Sequence, residues 1–299
     1  MYQYDKTFET EEEKIDFVKK CDAEFFGEII KASESIAKDR DIRFILLSGP
    51  SCSGKTSASR VLTEALEKDG RQVSIISIDD FFKDSYELKD SDEDTQIDFD
   101  SINALDYDCF CKCVKQLRQD GKSDIPIFDF LSGRRSGYRT VSISEDTVVI
   151  FEGIQAVYPE ITRLFHGECK KIFLCVDTDV QAYGSEFSRL SLRFARRLVR
   201  DWMFRGACPE LTFRLWSSVV ENEEKNIMPY ASCVDIRINS FVPYEINVLA
   251  PLVIEVLSQL PDISKYCPQA IQIAEKYKNV PVISKEYIPE DSFFTEFIG

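Results

Sequence analysis

The amino-acid sequence predicts an α/β fold, in which a parallel sheet carries helices on both of its faces. Short apolar segments alternate with longer segments of helical periodicity along the 299 residues, the order typical of such folds. Several of the apolar segments are nearly continuous, as expected for strands that are buried on both sides. A glycine-rich loop joins the first of these strands to the next helix, a third observation in favour of this fold class.

The predicted elements follow one another without internal repeats or a clear interdomain linker. Helical periodicity covers approximately residues 11–38, 57–67, 101–119, 186–205 and 244–260. Extended segments cover residues 44–47, 72–78, 124–130, 147–151, 171–176 and 233–238, and an acidic loop covers residues 84–98. We therefore expect a helical extension over residues 1–40, a central domain over 41–265, and a C-terminal extension over 266–299 that packs on this domain.

Residues 49–56 read Gly-Pro-Ser-Cys-Ser-Gly-Lys-Thr and lie between the first predicted strand and the following helix. This G-x-x-x-x-G-K-[ST] pattern in that context predicts a phosphate-binding loop, with an ordinary glycine turn as the alternative. The glycines allow consecutive backbone N–H groups to point at phosphate oxygens. The residues predicted to form this cradle are Gly49, Ser51, Cys52, Ser53 and Gly54.

The last two residues of the loop have separate predicted roles. Lys55 would reach the β- and γ-phosphates of a nucleoside triphosphate, and the Thr56 hydroxyl would hold Mg²⁺. The helix that begins near Lys55 adds the positive end of its dipole to the same anion. The sequence therefore predicts a site for a nucleoside triphosphate.

Composition excludes several classes of partner. The net charge of −15 argues against nucleic acid, because a phosphate backbone needs a basic face. No apolar stretch approaches the roughly 20 residues of a membrane helix, and the acidic N-terminal stretch lacks the layout of a signal peptide. We therefore expect a cytoplasmic protein that has no membrane partner and whose ten cysteines are reduced.

Carboxylates follow two of the predicted strands. Asp79 and Asp80 end the strand at 72–78, and the carboxyl edge of a parallel sheet is where ligands bind. One of the two could accept the proton of an acceptor hydroxyl, or both could belong to a solvated turn or a helix cap. Glu152 follows the strand at 147–151, where a carboxylate that supports Mg²⁺ is expected; an ordinary charge at a strand end is the alternative.

The predicted helix at 186–205 is basic although the chain as a whole is acidic. Only Asp201 lies among its later arginines, so nearby acids should not compensate all of them. Uncompensated arginines fit a lid, over about residues 185–210, that closes on a transferring phosphoryl group, although a solvated face is the usual meaning of a charge run. The arginines concerned are Arg196, Arg197, Arg200 and Arg205.

With these residues in place, the chain resembles the uridine kinase and phosphoribulokinase family of P-loop kinases from about Ile42 to Leu260. Besides the loop, the segments that match the family's motifs in order are 77–82, 98–106, 125–130, 151–154 and 196–206. A bacterial uridine kinase-like branch is the closest likeness. Its hallmarks are matched at residues 216–219, 223–227, 239–240, 244–245 and 296–299.

This resemblance implies a kinase that uses ATP and Mg²⁺ to phosphorylate a small molecule, with the 5′-hydroxyl of a nucleoside as the first expectation. Homo-oligomerisation stays open. The implied catalytic residues are Asp79 as general base, Lys55, Arg200 and Arg205. Arg196 would bind the nucleotide with the loop, Thr56 and Glu152 would support Mg²⁺, and Asp79, Asp100, Phe128 and Arg197 would bind the acceptor.

The chain departs from this family where the acceptor base is recognised. Uridine–cytidine kinases have a tyrosine at the position of Phe128, a histidine near Gly133, and an arginine at the position of Ala207. Loss of these polar groups removes hydrogen bonds by which a pocket selects a pyrimidine. A kinase of another sugar or polyol is therefore an alternative, as is a regulatory ATPase without an acceptor.

Overall fold

The structure is a computed structural model that describes residues 1–88, 98–130, 132–165, 167–260 and 268–299. Most of the predicted acidic loop, over residues 89–97, lies outside the described residues. The predicted end of the central domain, over residues 261–265, also lies outside them.

The described strands and helices include all those that the sequence predicts, in the predicted order, and nine more. The strands are β1 (Tyr2–Gln3), β2 (Phe44–Ser48), β3 (Gln72–Ser77), β4 (Lys122–Asp129), β5 (Arg134–Ser142), β6 (Thr147–Glu152), β7 (Cys169–Cys175), β8 (Val180–Ala182), β9 (Ser185–Phe187) and β10 (Ile236–Asn239). The helices are α1 (Glu11–Lys38), α2 (Lys55–Lys68), α3 (Ser85–Leu88), α4 (Tyr107–Asp120), α5 (Pro159–Thr162), α6 (Arg189–Phe204), α7 (Pro209–Asn226), α8 (Glu245–Ser258), α9 (Pro268–Tyr277) and α10 (Thr295–Ile298).

The centre of the fold is a parallel sheet in which five of the described strands pair in the order β10-β7-β2-β6-β3. Successive residues of β2 enter opposite faces: Phe44 and Leu46 belong to one hydrophobic cluster, and Ile45 and Leu47 belong to the other. Both faces are therefore buried, which explains why the strand is apolar without alternation. The predicted α/β fold with helices on both faces of a parallel sheet is confirmed.

The 18-residue helix α7 and the hairpin of β4 and β5 are the main elements that the sequence does not predict. Of the hairpin, the sequence predicts only the first strand, as an extended segment at 124–130. β4 and β5 pair antiparallel, with an irregularity between Ile127 and Phe128, apart from the central sheet. Nearly every residue of β5 retains some exposure, so this strand has no apolar run that would reveal it.

The segments before and after the central sheet share its larger hydrophobic cluster. Val18, Phe25 and Ile29 on the buried face of α1 belong to this cluster, as do Phe293 and Phe297 from the C-terminal region. A helix long and apolar enough to cross a membrane does not occur within the described ranges.

Candidate active site

The loop predicted to bind phosphate connects β2, the middle strand of the sheet, to α2. Cys52 and Gly54 have φ angles of +59° and +93°, so the backbone turns through the left-handed region twice within three residues. Alternation of this kind makes a concave nest of N–H groups. A side chain at Gly49 would place its Cβ 2.0 Å from the carbonyl oxygen of Leu174, so only glycine fits where the loop leaves the sheet.

Lys55 is the first residue of α2, and its side chain folds back over the loop. Its Nζ donates to the carbonyl oxygens of Gly49 at 2.9 Å and Pro50 at 3.2 Å. Thr56 follows with an exposed side chain. The ammonium group therefore lies over the loop at the N-terminal end of α2, where backbone N–H groups favour an anion.

Three arginines of α6 hold this loop. Arg193 Nε donates to the carbonyl oxygen of Ser51 at 3.1 Å, and Arg196 Nη1 donates to that of Cys52 at 3.3 Å. Arg197 Nη1 donates to the hydroxyl of Ser51 at 3.4 Å. The spacing of three and four residues places all three on one face of the helix, so α6 supports the shape of the loop.

Arg196 differs from the sequence prediction. Its side chain is fully buried, its Nε donates to Glu245 Oε2 at 2.6 Å, and its Nη2 donates to the carbonyl oxygen of Ser240 at 2.7 Å. The prediction that Arg196 lacks an ion-pair partner is therefore wrong. Its partner is Glu245, which lies 49 positions further along the chain and not among its neighbours in sequence. In this position Arg196 supports the loop from behind and has no exposed surface to offer a nucleotide.

The other three predicted lid arginines converge on Asp201. Its carboxylate oxygens lie 3.2 Å from Arg197 Nε, 2.7 Å from Arg200 Nη2 and 3.7 Å from Arg205 Nε. One carboxylate thus faces three guanidinium groups, and an excess of positive charge remains. The side chain of Arg205 is 60% exposed. The catalytic roles of these arginines and the movement of a lid stay predictions; α6 itself packs against α7, α8 and α10.

Asp79 and Glu152 meet at the carboxyl edge of the sheet. Glu152 is the last residue of β6 and pairs in register with Leu47 of β2 and Ser77 of β3. Asp79 lies in the short helical turn that follows β3. The strand order therefore brings both carboxylates beside the loop that follows β2.

The two carboxylates share a poorly solvated environment. Burial, followed by the charge of Glu152, raises the pKa of Asp79 to about 7, although Lys55 acts in the opposite direction. Burial also raises the pKa of Glu152, again against Lys55. A carboxylate whose pKa lies near neutral pH is well matched to accept a proton from a hydroxyl.

Asp80 has a different position from its neighbour. It accepts from Arg139 Nη2 at 3.1 Å and from the backbone N–H of Phe128 at 3.4 Å. Both partners belong to the β4–β5 hairpin, so Asp80 fixes the hairpin to the end of β3. Of the two adjacent carboxylates, Asp79 is the one that shares its surroundings with Lys55 and Glu152.

Two hydrogen bonds to backbone carbonyl oxygens hold Asp100 in place. Tyr158 donates its hydroxyl to the carbonyl oxygen of Asp100 at 2.8 Å, and Gln155 Nε2 donates to that of Phe99 at 2.7 Å. Burial and the charge of Asp98 raise the pKa of Asp100 to about 6, while Lys55 lowers it. Lys55 acts on both Asp79 and Asp100, which places the two carboxylates in one site.

Aromatic rings line the hairpin side of this region. Phe128 is buried, and its ring centroid lies 5.7 Å from that of Phe82 and 5.2 Å from that of Phe130. A Cβ at Gly133 would lie 2.4 Å from Ser85 Oγ, so this turn would have to shift to carry a side chain. The wall beside Phe128 is therefore apolar at the positions where uridine–cytidine kinases have polar groups that bind the base.

The predicted Mg²⁺ ligands suit that ion. Thr56 and Glu152 offer hydroxyl and carboxylate oxygens, the hard donors that Mg²⁺ takes. Among the described residues, the Glu152 carboxylate accepts one long hydrogen bond, from Ser77 Oγ at 3.4 Å, which leaves its charge poorly compensated. The described part of the chain contains no group of three or more His, Cys, Asp or Glu residues placed to hold a metal. Phosphate oxygens and water would complete the shell, as is usual for Mg²⁺.

Two residues of this region were missed by sequence reasoning. Glu223 forms a buried ion pair with Arg193 through a 2.8 Å bond between Oε2 and Nη1. Glu296 accepts from both the backbone N–H and the hydroxyl of Ser57, each at 3.0 Å. In the sequence, both glutamates lie in segments that resemble the bacterial uridine kinase-like branch, at 223–227 and 296–299. That resemblance assigns no role to either residue.

Known proteins give an independent comparison. Uridine kinase of Schizosaccharomyces pombe is 35% identical over 168 residues, which cover 56% of this chain and 33% of that protein. Uridine kinase of Staphylococcus aureus (strain JH9) is 29% identical over 58% of this chain and 75% of its own. Inorganic pyrophosphatase TTM2 of Arabidopsis thaliana is 28% identical over 73% of this chain and 29% of its own.

The chain thus spans about a third of the length of the Schizosaccharomyces and Arabidopsis relatives. Residues 44–246 match the sequence profile of the phosphoribulokinase / uridine kinase family, and this range contains the loop, Asp79, Glu152 and α6. With more than half of its 299 residues matched, the chain belongs to the phosphoribulokinase / uridine kinase family of P-loop kinases.

Proposed function

We propose that the chain is an ATP- and Mg²⁺-dependent kinase that transfers the γ-phosphoryl group to a hydroxyl, most specifically the 5′-hydroxyl of a nucleoside. The observation that carries this proposal is the position of Asp79. Its carboxylate, with a pKa of about 7, lies at the sheet edge beside Glu152 and within the influence of Lys55. A proton acceptor next to a triphosphate loop is what transfer to a hydroxyl requires and what simple nucleotide binding does not.

The donor half of the reaction belongs to the loop and to α6. Backbone N–H groups and Lys55 hold the phosphates, and Mg²⁺, held by Thr56 and Glu152, would neutralise charge on the phosphate oxygens. Arg200 and Arg205 share Asp201 with Arg197, so they can turn toward a more negative group without leaving Asp201 uncompensated. Their role is to stabilise charge that develops on the transferred group.

The acceptor half places a hydroxyl against Asp79. Asp79 removes the hydroxyl proton as the oxygen attacks the γ-phosphorus, and the bond between that phosphorus and the bridging oxygen of ADP breaks. Asp100, held through its backbone by Tyr158, would accept hydrogen bonds from further hydroxyls of the acceptor. Two vicinal ribose hydroxyls are a natural partner for such a carboxylate.

A nucleoside is favoured by the ring of Phe128, since an apolar aromatic wall accommodates a planar base better than a fully hydroxylated sugar. A sugar or polyol acceptor is the second candidate. It is supported by the absence of a polar side chain at Phe128 and Gly133, where a pyrimidine would be read.

The experiment is ADP release from ATP and Mg²⁺ with a panel of nucleosides, sugars and polyols, followed by identification of the phosphorylated product. Phosphorylation of nucleosides above all others supports the first candidate, and selective phosphorylation of a sugar or polyol supports the second. ADP release that no acceptor stimulates would refute the proposed kinase activity and favour a regulatory ATPase. The variant Asp79→Asn serves as the matched control for background hydrolysis.

A further inference from the structure

The C-terminal strap, residues 292–299, packs against the back of the phosphate loop. Phe293, Phe294 and Phe297 are fully buried, and the guanidinium carbon of Arg196 lies 4.8 Å from the ring centroid of Phe297. The strap begins with Ser292, whose hydroxyl is hydrogen-bonded to Tyr244 at 3.2 Å. Its hydrophobic part is therefore firmly attached to the core.

Glu296 extends from this strap to the first turn of α2. A single carboxylate oxygen, Oε2, accepts from the backbone N–H of Ser57 and from its hydroxyl, each at 3.0 Å. Ser57 directly follows Lys55 and Thr56, so its N–H belongs to the N–H groups that open the helix. An acidic side chain from 239 positions away thus occupies one of the donors beside the phosphate loop.

The local sequence explains why this donor was available. The N-cap of α2 is Gly54, which has no side chain with which to accept a hydrogen bond from the first turn. Phe293 lies directly against this glycine, since a Cβ there would be 1.9 Å from the phenyl ring. The strap therefore supplies from a distance the carboxylate cap that Gly54 cannot provide, and the positive end of the helix dipole favours it.

A bound triphosphate needs the same N–H donor, that of Ser57. Loops of this type hold phosphate with the N–H groups of the loop and of the first helical turn. A carboxylate among these donors occupies one of them and repels the phosphate charge. Glu296 also interacts electrostatically with Glu152, which places its carboxylate close to the same site.

We propose that Glu296 is an internal competitor of the nucleotide: it caps α2 while the loop is empty and must leave Ser57 when a triphosphate binds. This inference rests on the proposed function only in that ATP is the ligand of the loop. Phe293, Phe294 and Phe297 keep the strap docked, whereas the partly exposed side chain of Glu296 can rotate away by itself. The strap thus sets the affinity of the loop for phosphate.

The test is the dissociation constant of ATP, measured by calorimetry without an acceptor, for Glu296→Gln. This variant retains a carbonyl oxygen that can accept from Ser57 but loses the negative charge. We expect ATP to bind about five- to tenfold more tightly, since a like charge a few ångströms away is removed. The matched control is Glu290→Gln, which makes the same charge change at an exposed position just before the strap and should bind ATP as the unchanged chain does.

Adenosine provides the second arm, because it has no phosphate with which Glu296 could compete. Its affinity should be the same for Glu296→Gln and the unchanged chain. Hydrogen exchange provides the third arm: because the phenylalanines keep the strap docked and only the Glu296 side chain moves, saturating ATP should leave exchange of the α10 amides as it is in the empty chain, and a large increase there would contradict the proposal.

Unchanged or weaker ATP binding by Glu296→Gln would overturn the proposal, and so would an equal gain in adenosine affinity, which would indicate general loosening. Failure of both chains to bind ATP would refute the nucleotide site together with this competition. If ATP binds more tightly to Glu296→Gln but no acceptor is phosphorylated, the competition stands and the proposed kinase activity fails.

Discussion

The two halves of the candidate site are built in different ways. The donor half uses backbone N–H groups of one continuous loop, together with Lys55 and Thr56 directly after it. The acceptor half uses side chains from separate segments, such as Asp79, Asp100 and Phe128. A phosphate site can therefore be encoded locally, because the backbone supplies most of its donors, whereas selectivity for an acceptor depends on tertiary contacts.

The largest effect should come from removing the proton acceptor of the acceptor half. Asp79→Asn keeps the size of the side chain but removes its basicity, and we expect turnover to fall about 10³-fold. The affinity for ATP should stay within about threefold of the original, since Asp79 has no part in the phosphate cradle. Steady-state kinetics and calorimetry on the same preparation measure both quantities.

Asp80→Asn is the matched control, because Asp80 holds Arg139 of the hairpin and not the acceptor. Its turnover should fall far less than that of Asp79→Asn. Equal losses in the two variants would mean that the acceptor half has no distinct general base and would remove the contrast between the halves.

The second largest effect concerns the support of the donor half. Arg196→Met leaves Glu245 buried without its ion-pair partner, which typically costs about 3–5 kcal/mol of unfolding free energy. Arg205→Met removes a guanidinium that is 60% exposed, and we expect less than about 1 kcal/mol. Urea unfolding of the two variants separates an arginine that supports the loop from one that is free to act on a ligand. Similar stability of the two would contradict the structural role of Arg196.

These two arginines also show how far sequence reasoning could go. The strands of the sheet were predictable because both of their faces are buried, and the loop was predictable because its pattern is continuous. The partner of Arg196 was not, since Glu245 lies 49 positions away and nothing local connects the two. The contact between Ser57 and Glu296 spans 239 positions and was equally hidden. β5 escaped notice because its residues remain partly exposed and form no apolar run.

A smaller effect should appear in stability without Mg²⁺ or nucleotide. Burial raises the pKa of Asp79 from 3.8 to about 7, so the folded chain binds this proton more tightly than the unfolded chain. This contribution to stability is present below pH 4 and is lost as the pH rises through about 7. Asp79→Asn should therefore be more stable than the original chain at pH 8, by on the order of 2 kcal/mol, and should lose this advantage at pH 4.

Thermal unfolding at both pH values measures this difference, with Asp80→Asn as the control because Arg139 already compensates that carboxylate. A pH-independent difference between Asp79→Asn and the original chain would show that the carboxylate of Asp79 is well solvated. The acceptor half would then lack the buried, poorly solvated carboxylate that distinguishes it from the donor half.

The smallest effect should be a change of acceptor preference. Phe128→Tyr adds one hydroxyl to the aromatic wall at the position where uridine–cytidine kinases have a tyrosine. A new hydrogen bond to a base should lower the KM for a pyrimidine nucleoside severalfold and leave the KM for ATP unchanged. Phe130→Tyr adds the same hydroxyl to a ring that is 65% exposed and should change neither constant. If Phe128→Tyr altered the KM for ATP instead, the acceptor and donor halves would be coupled through this wall, and selectivity could not be assigned to the acceptor half alone.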